Sequence, residues 1–153
     1  MEELRFVIAD DHEIVREGLR SLLEKQPGWK VIAEAGNGRV AVEKVKELEP
    51  DVAVIDIQMP EVDGIEATRL IRESGCRTKV LILTMHESGA MIRRVIDAGA
   101  RGYIWKADSA KELIKGVEAL QLDKIFLSSR ILGEFLNGSV ADGNGRAKIA
   151  SSY

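Results

Sequence analysis

The chain is poor in the features that mark several large protein classes. It has one cysteine, Cys76, which excludes an internal disulfide framework and any cysteine-rich zinc site. No apolar run approaches the roughly 20 residues needed to span a bilayer. Met1-Glu2-Glu3-Leu4-Arg5 leads straight into a strand-like run, without the basic segment and apolar stretch of a secretory signal. A basic surplus is absent too. Twenty-five acidic residues against 22 basic ones give a net charge of −3, which argues against a general binder of nucleic acid or anionic membrane. There is no Gly-x-x-x-x-Gly-Lys loop to cradle a nucleotide, and no internal repeat. What remains is 153 residues, 45% of them apolar: one globular domain with a real core, expected in the cytoplasm and with no membrane partner.

Short apolar runs alternate with segments of helical period. Strands are predicted at Leu4–Ala9, Lys30–Ala35, Asp51–Ile55, Val80–Leu83 and Gly102–Trp105. Phe6-Val7-Ile8-Ala9, Val52-Ala53-Val54-Ile55 and Val80-Leu81-Ile82-Leu83 are apolar throughout, the pattern of strands covered on both faces. Between the runs lie helical stripes: Val15, Leu19, Leu22 and Leu23; Ala41, Val45 and Leu48; Met91, Ile92, Val95 and Ile96; Ala110, Leu113, Ile114 and Val117. Asp63…Glu66 and Ser109…Glu112 have capping-box spacing, and Gly75 and Gly99 stand where helices should stop. Five β–α units over residues 4–120 imply an α/β fold, a doubly wound parallel sheet with helices on both faces.

In such a sheet, ligands bind beyond the carboxyl ends of the strands. The first predicted strand delivers Asp10 and Asp11 there, the third Asp56, the fourth Thr84 and the fifth Lys106. Carboxylates brought that close repel one another, and a hard divalent cation such as Mg²⁺, which takes oxygen ligands, relieves the repulsion. Lys106 and Thr84 suit an oxyanion beside the metal, one as a point charge and the other as a hydroxyl donor. Metal, cation and donor are the parts phosphoryl transfer requires, and a carboxylate can serve as acceptor. Each residue alone has a plainer reading. Asp10-Asp11 suits a helix N-cap, Asp56 a strand-end loop, Thr84 an ordinary strand position and Lys106 a solvated surface. The ordered set is what points to chemistry.

These residues resemble the receiver domains of two-component response regulators. Ile8-Ala9-Asp10-Asp11 resembles the family's acidic pair, and Val54-Ile55-Asp56-Ile57-Gln58-Met59-Pro60 with Asp63-Gly64 its phosphoacceptor segment. Leu83-Thr84 and Tyr103-Ile104-Trp105-Lys106 resemble its two switch segments, so the likeness covers residues 4–120. It implies a five-stranded flavodoxin-like sheet in the order 2-1-3-4-5. It further implies that Asp56 accepts a phosphoryl group from a histidine kinase. Mg²⁺ would be held by Asp11 and Asp56 directly, by Asp10 mainly through water, and by the backbone carbonyl of Gln58. Lys106 would pair with the phosphoryl group, Thr84 would move toward it, and Tyr103 would turn inward behind Thr84. Gln58 and His86 stand where receivers vary and where phosphoryl lifetime is tuned, and Met85, beside Thr84, joins them as a gatekeeper of the pocket. His12 reads as a surface residue, and Cys76 has no assigned role. Many receivers carry a cis proline after the switch lysine; here the residue is Ala107, where a cis bond would cost about 2.5–4 kcal/mol.

After the receiver, residues 1–121, the character changes. Lys124-Ile125-Phe126-Leu127-Ser128 precedes Ile131, Leu132, Phe135 and Leu136 at helical spacing, closed by Asn137-Gly138. A short extra helix is therefore expected within residues 122–138. Residues 139–153, rich in Gly, Ser and Ala, read as linker or tail. This ending, with Ala98-Gly99-Ala100-Arg101-Gly102-Tyr103, resembles receivers that carry a C-terminal LuxR-type helix-turn-helix. DNA contact is then expected only through an output domain outside this chain, and the resemblance allows a phosphorylation-linked homodimer. A piece of a transcription regulator is preferred over a stand-alone receiver. The protein is expected to catalyse only its own phosphorylation and dephosphorylation. The rivals are an Mg²⁺-dependent phosphohydrolase with an Asp56 nucleophile, disfavoured because Gln58 stands where the second aspartate would be, and a vestigial interaction module.

Overall fold

The computed structural model describes residues 3–85, 88–108, 110–139 and 149–150. In chain order the elements are β1 (Leu4–Ala9), α1 (Glu13–Glu24), β2 (Trp29–Ala35), α2 (Gly38–Leu48), β3 (Val52–Asp56), α3 (Gly64–Glu73) and β4 (Lys79–Thr84). They continue with α4 (Gly89–Asp97), β5 (Gly102–Trp105), α5 (Ala110–Gln121), β6 (Ile125–Leu127), α6 (Ser129–Ser139) and β7 (Ile149–Ala150). The strands form one parallel sheet in the order β2-β1-β3-β4-β5-β6-β7. The first five follow the expected 2-1-3-4-5 order. The sheet is longer than the five strands expected, because Ile125–Leu127 pairs beside β5 and Ile149–Ala150 pairs beside β6.

The unbroken apolar runs are explained by two cores, one on each face of the sheet. Alternate residues go to opposite sides: Val7, Ala9, Ala53, Ile55, Val80, Ile82 and Tyr103 to one, Phe6, Ile8, Val52, Val54, Leu81, Leu83 and Ile104 to the other. The first core is closed by Ala41 and Val45 of α2, Ile71 of α3, Ile92 and Val95 of α4, and Ile131 of α6. The second is closed by Leu23 of α1 and by Leu113, Val117 and Leu120 of α5. A strand with period-2 geometry between two such layers needs an apolar residue at every position. Among the described residues no helix is long and apolar enough to cross a membrane.

Helix ends follow the predicted punctuation in part. Asp63 caps α3, its carboxylate accepting from the Glu66 N–H at 2.8 Å, but Glu66 pairs with Arg69 rather than reaching back to complete a box. Gly75 and Gly99 have φ of 79° and 111° and reverse the chain after α3 and α4. Ser109 and the tail residues 140–148 and 151–153, for which linker character is expected, lie outside the described residues. The extra helix forms and runs to Ser139, with Ile131 buried and Leu132 and Phe135 half-buried against the first core. Every peptide bond among the described residues is trans, that between Lys106 and Ala107 included.

Gly64 is required by close approach. A Cβ there would lie 2.2 Å from the carbonyl oxygen of Asp56, and its N–H donates to the Ile57 carbonyl at 2.7 Å, so α3 starts directly against the end of β3. Gly18, inside α1, has open space around it. Gly64→Ala should therefore destabilise the fold by about 1–3 kcal/mol or more, whereas Gly18→Ala should stabilise it by about 0.5–1 kcal/mol. Urea denaturation of the two variants checks both signs.

Candidate functional site

Three strand ends converge at one pole. β1 runs into Asp10 and Asp11, β3 ends in Asp56, and β5 is followed by Lys106. Asp10 is fully buried and Asp56 nearly so, while the Asp11 carboxylate is about one-third exposed. Lys106 joins them: its ammonium donates to Asp10 Oδ2 at 2.7 Å and lies 3.1 Å from Asp56 Oδ2. Its own N–H donates to the Thr84 carbonyl at 2.7 Å, which continues the β4–β5 ladder to the lysine and sets its position.

The alternative reading of the acidic pair as a helix cap does not hold. The N-cap of α1 is His12, which makes no side-chain capping bond. Asp10 Oδ1 instead accepts from the His12 N–H at 2.8 Å. The turn is pinned by Arg16, whose guanidinium donates to the Asp10 carbonyl at 2.7 Å and to Glu34 Oε1 of β2 at 3.1 Å.

The charges do not balance. Three carboxylates stand at this pole, and the Lys106 ammonium reaches two of them, Asp10 and Asp56. Burial pushes the Asp56 carboxyl above its ordinary value; Lys106 pulls it down, and the neighbouring Asp10 and Asp11 charges push it up again. Burial alone would pull the Lys106 ammonium down, but its hydrogen bonds to Asp10 and Asp56, with their charges, outweigh that and raise it. Ionised Asp56 is thus undercompensated where it stands, and a further cation or a loss of negative charge is favoured there.

Thr84 and Tyr103 meet each other. Both are buried, their hydroxyls are hydrogen-bonded, and burial pushes the Tyr103 phenol up to about 12 although the Thr84 hydroxyl pulls it down. Tyr103 stands inward, packed in the first core with Leu127 and Ile131. Gln58 and Met85 are exposed, and His86 lies outside the described residues. Sequence reasoning passed over His12. Its ring is largely exposed, yet Nδ1 lies 3.1 Å from Asp10 Oδ1 and 2.9 Å from Asp11 Oδ1. Asp10, Asp11 and His12 are a group whose ligand atoms lie within 4.8 Å of one another. The only sequence signal was adjacency to the acidic pair.

A doubly wound sheet that gathers an aspartate pair, a strand-end aspartate and a bridging lysine at its carboxyl pole, with Asp10 and Asp56 buried, defines a class of domain, and the comparisons agree. Residues 6–118 match the model of the response regulator receiver domain family, and the chain belongs to that family. It is 42% identical over 134 residues to the transcriptional regulatory protein LnrK of Bacillus subtilis, covering 88% of this chain and 61% of that protein. It is 37% identical to the transcriptional regulatory protein LiaR of the same organism, covering 88% and 64%. Among solved structures, a LuxR-family two-component response regulator from Aurantimonas sp. SI85-9A1 superposes with a TM-score of 0.87 at 38% identity, covering 91% of this chain and 99% of that one. The chain spans less than two thirds of the length of these curated relatives.

Because the folded state holds the Asp56 carboxyl above its ordinary value of 3.8, folding binds protons that the unfolded chain releases, and ionised Asp56 costs stability. Asp56→Asn should unfold at a higher temperature than wild type at pH 7. The advantage should shrink as pH falls through the carboxylate range and vanish once Asp56 is protonated in both states. Thermal unfolding of both proteins between pH 3 and pH 7 measures this.

Proposed function

We propose that this chain is the phosphoacceptor module of a transcriptional response regulator. A histidine kinase phosphorylates Asp56, and the acyl phosphate changes partner or dimer contacts that control a DNA-binding output domain lying outside this chain. The observation that carries this reading is the Lys106 bridge between Asp10 and Asp56, at 2.7 and 3.1 Å, in a buried pole with surplus negative charge. The names of the relatives, transcriptional regulatory proteins, support the output side, and a kinase partner fits action in the cytoplasm.

The donor set fits a hard divalent ion. Carboxylate oxygens of Asp10, Asp11 and Asp56 and the backbone carbonyl of Gln58 are the ligand type that Mg²⁺ takes. These residues would hold the ion, which when bound would supply charge neutralisation at the phosphoryl oxygens. In the transfer, an Asp56 oxygen forms the new bond to phosphorus while the bond to the donor's histidine nitrogen, or to the acetate oxygen of acetyl phosphate, breaks. Lys106 holds a phosphoryl oxygen by charge and Thr84 donates its hydroxyl to another. Water later cleaves the acyl phosphate and returns inorganic phosphate. The chemistry is confined to the protein's own carboxylate, and no external metabolite is turned over. Gln58, Met85 and His86 are the side chains proposed to tune phosphoryl lifetime.

Intact-mass measurement after incubation with acetyl phosphate, with and without Mg²⁺, tests this. A single phosphoryl adduct that requires Mg²⁺ is expected on wild type, none on Asp56→Asn, and at least a tenfold loss of rate on Lys106→Ala. Wild type without an adduct under any condition, or an Asp56→Asn variant that is still modified, would refute the assignment.

A further inference from the structure

The extension beyond the receiver meets the end of β4 through two residues of β5, Tyr103 and Trp105. Tyr103 and Trp105 are two apart on β5 and therefore face the same side of the sheet, toward α4 and α6. Each is tied on one side to the end of β4. The Tyr103 hydroxyl bonds Thr84, and Trp105 Nε1 donates to the carbonyl of Met85 at 3.3 Å. Each is tied on the other side to the start of α6. The Ser128 N–H donates to the Tyr103 carbonyl at 3.1 Å, and the Trp105 N–H donates to Ser128 Oγ at 3.4 Å. The Arg130 guanidinium lies over the Trp105 ring, 4.0 Å from its centroid. Ile131, one residue further on, is buried in the same core as Tyr103.

We propose that Trp105 is a positioning residue that couples the Thr84–Met85 segment to α6, so that α6 loosens when Asp56 is phosphorylated. The inference rests on the phosphoacceptor reading and adds the route by which the state of the site leaves it. The Thr84 hydroxyl is engaged with Tyr103. When Thr84 moves to donate to a phosphoryl oxygen, the Thr84–Tyr103 bond must be rebuilt, and the backbone of Thr84–Met85 moves with it. The Met85 carbonyl then no longer meets the indole N–H, and the ring that Arg130 covers is released. Coupling is reciprocal: a contact that belongs to the unphosphorylated arrangement opposes the one the phosphoryl group favours, and its removal raises the population of the latter, the arrangement that reacts.

The test uses the full 153-residue chain, with acetyl phosphate and Mg²⁺, reading two quantities. Adduct formation is followed by intact mass, and hydrogen–deuterium exchange is followed over residues 129–136. Arg130 is exposed, so Arg130→Ala should fold. Wild type should show faster exchange over α6 once phosphorylated. Unphosphorylated Arg130→Ala should already show that faster exchange and should acquire its adduct about two- to fivefold faster, the range a surface cation–π contact supports. Trp105→Phe, which keeps a ring but loses the N–H to Met85, should shift both readouts the same way, and Arg130→Lys should restore wild-type behaviour. Phosphorylated wild type with unchanged α6 exchange would overturn the coupling while leaving the acceptor assignment intact. So would an Arg130→Ala variant identical to wild type in both readouts, or an Arg130→Lys variant that behaves like alanine. No adduct on wild type would remove the acceptor reading and this inference with it.

Discussion

The ammonium of Lys106 is the contact on which the carboxyl pole of this domain depends. Asp10 has almost no solvent access and Asp56 little more, and burying ionised carboxylates without a partner is costly. Lys106 reaches both, but it cannot satisfy both in full and also serve Asp11. The result is a site whose ground state is under electrostatic stress in one direction. Added positive charge, or conversion of a carboxylate to another species, relieves it. A more comfortable site, with a second lysine beside Asp56, would be more stable and would lose its surplus of negative charge. Strained functional sites are commonly held at such a cost by the rest of the fold.

The rest of the fold supplies that support through the sheet. β1, β3 and β4 are buried on both faces, so their ends are placed by two independent layers of packing rather than by loops. Gly64 allows α3 to begin against the Asp56 carbonyl, and the ladder from Thr84 to Lys106 extends the β4–β5 pairing one step past the last strand residue. The acidic groups thus come from the ends of β1 and β3, Thr84 from the end of β4 beside them, and Tyr103 and Lys106 from β5 and the residue that follows it.

How much of this was legible in the sequence follows from how each part is encoded. The five principal strands and both layers of helices were readable because burial on two faces leaves a run of apolar residues, and burial of one helix face leaves a stripe. The site was readable because its residues sit at strand ends, positions that periodicity locates to within one residue. Asp56 was expected just past its strand and is its last residue, a shift that leaves it at the same pole. β6 was not readable as a strand. Three residues, Ile125, Phe126 and Leu127, are too few to show a period, and what makes them a strand is the free edge of β5 beside them. The Asp10–Asp11 pair illustrates the reverse problem. Its position before α1 suits a cap, and only the three-dimensional pull of Lys106 and the His12 N–H shows that Asp10 points into the site instead. His12 and Trp105 were missed for the same reason: their neighbours come from elsewhere in the chain or depend on the turn of a loop.

The asymmetry of the sheet bears on direction. At the β2 edge, Arg16 and Arg20 of α1 pair with Glu34, a network of partly exposed ion pairs that closes that side. At the β5 edge the sheet is instead continued by β6 and covered by α6, whose Ile131, Leu132 and Phe135 complete the core that Tyr103 enters. A change at Thr84 therefore meets packed, hydrogen-bonded neighbours on the β5 side, whereas the β2 side is separated from it by the fully buried β3 and by β1, buried from Phe6 to Ala9. Packed cores respond to small displacements by exchanging one arrangement for another rather than by bending. On this side α6 lies against α4, β5 and β6, joined at its start by Ser128, Arg130 and Ile131 and exposed at Leu136. Coupling energies of about 1–3 kcal/mol suffice for a switch, which is the scale of those first-turn contacts and well below that of the two cores. Contacts along this edge can then change without disturbing the strand ends that hold the site together.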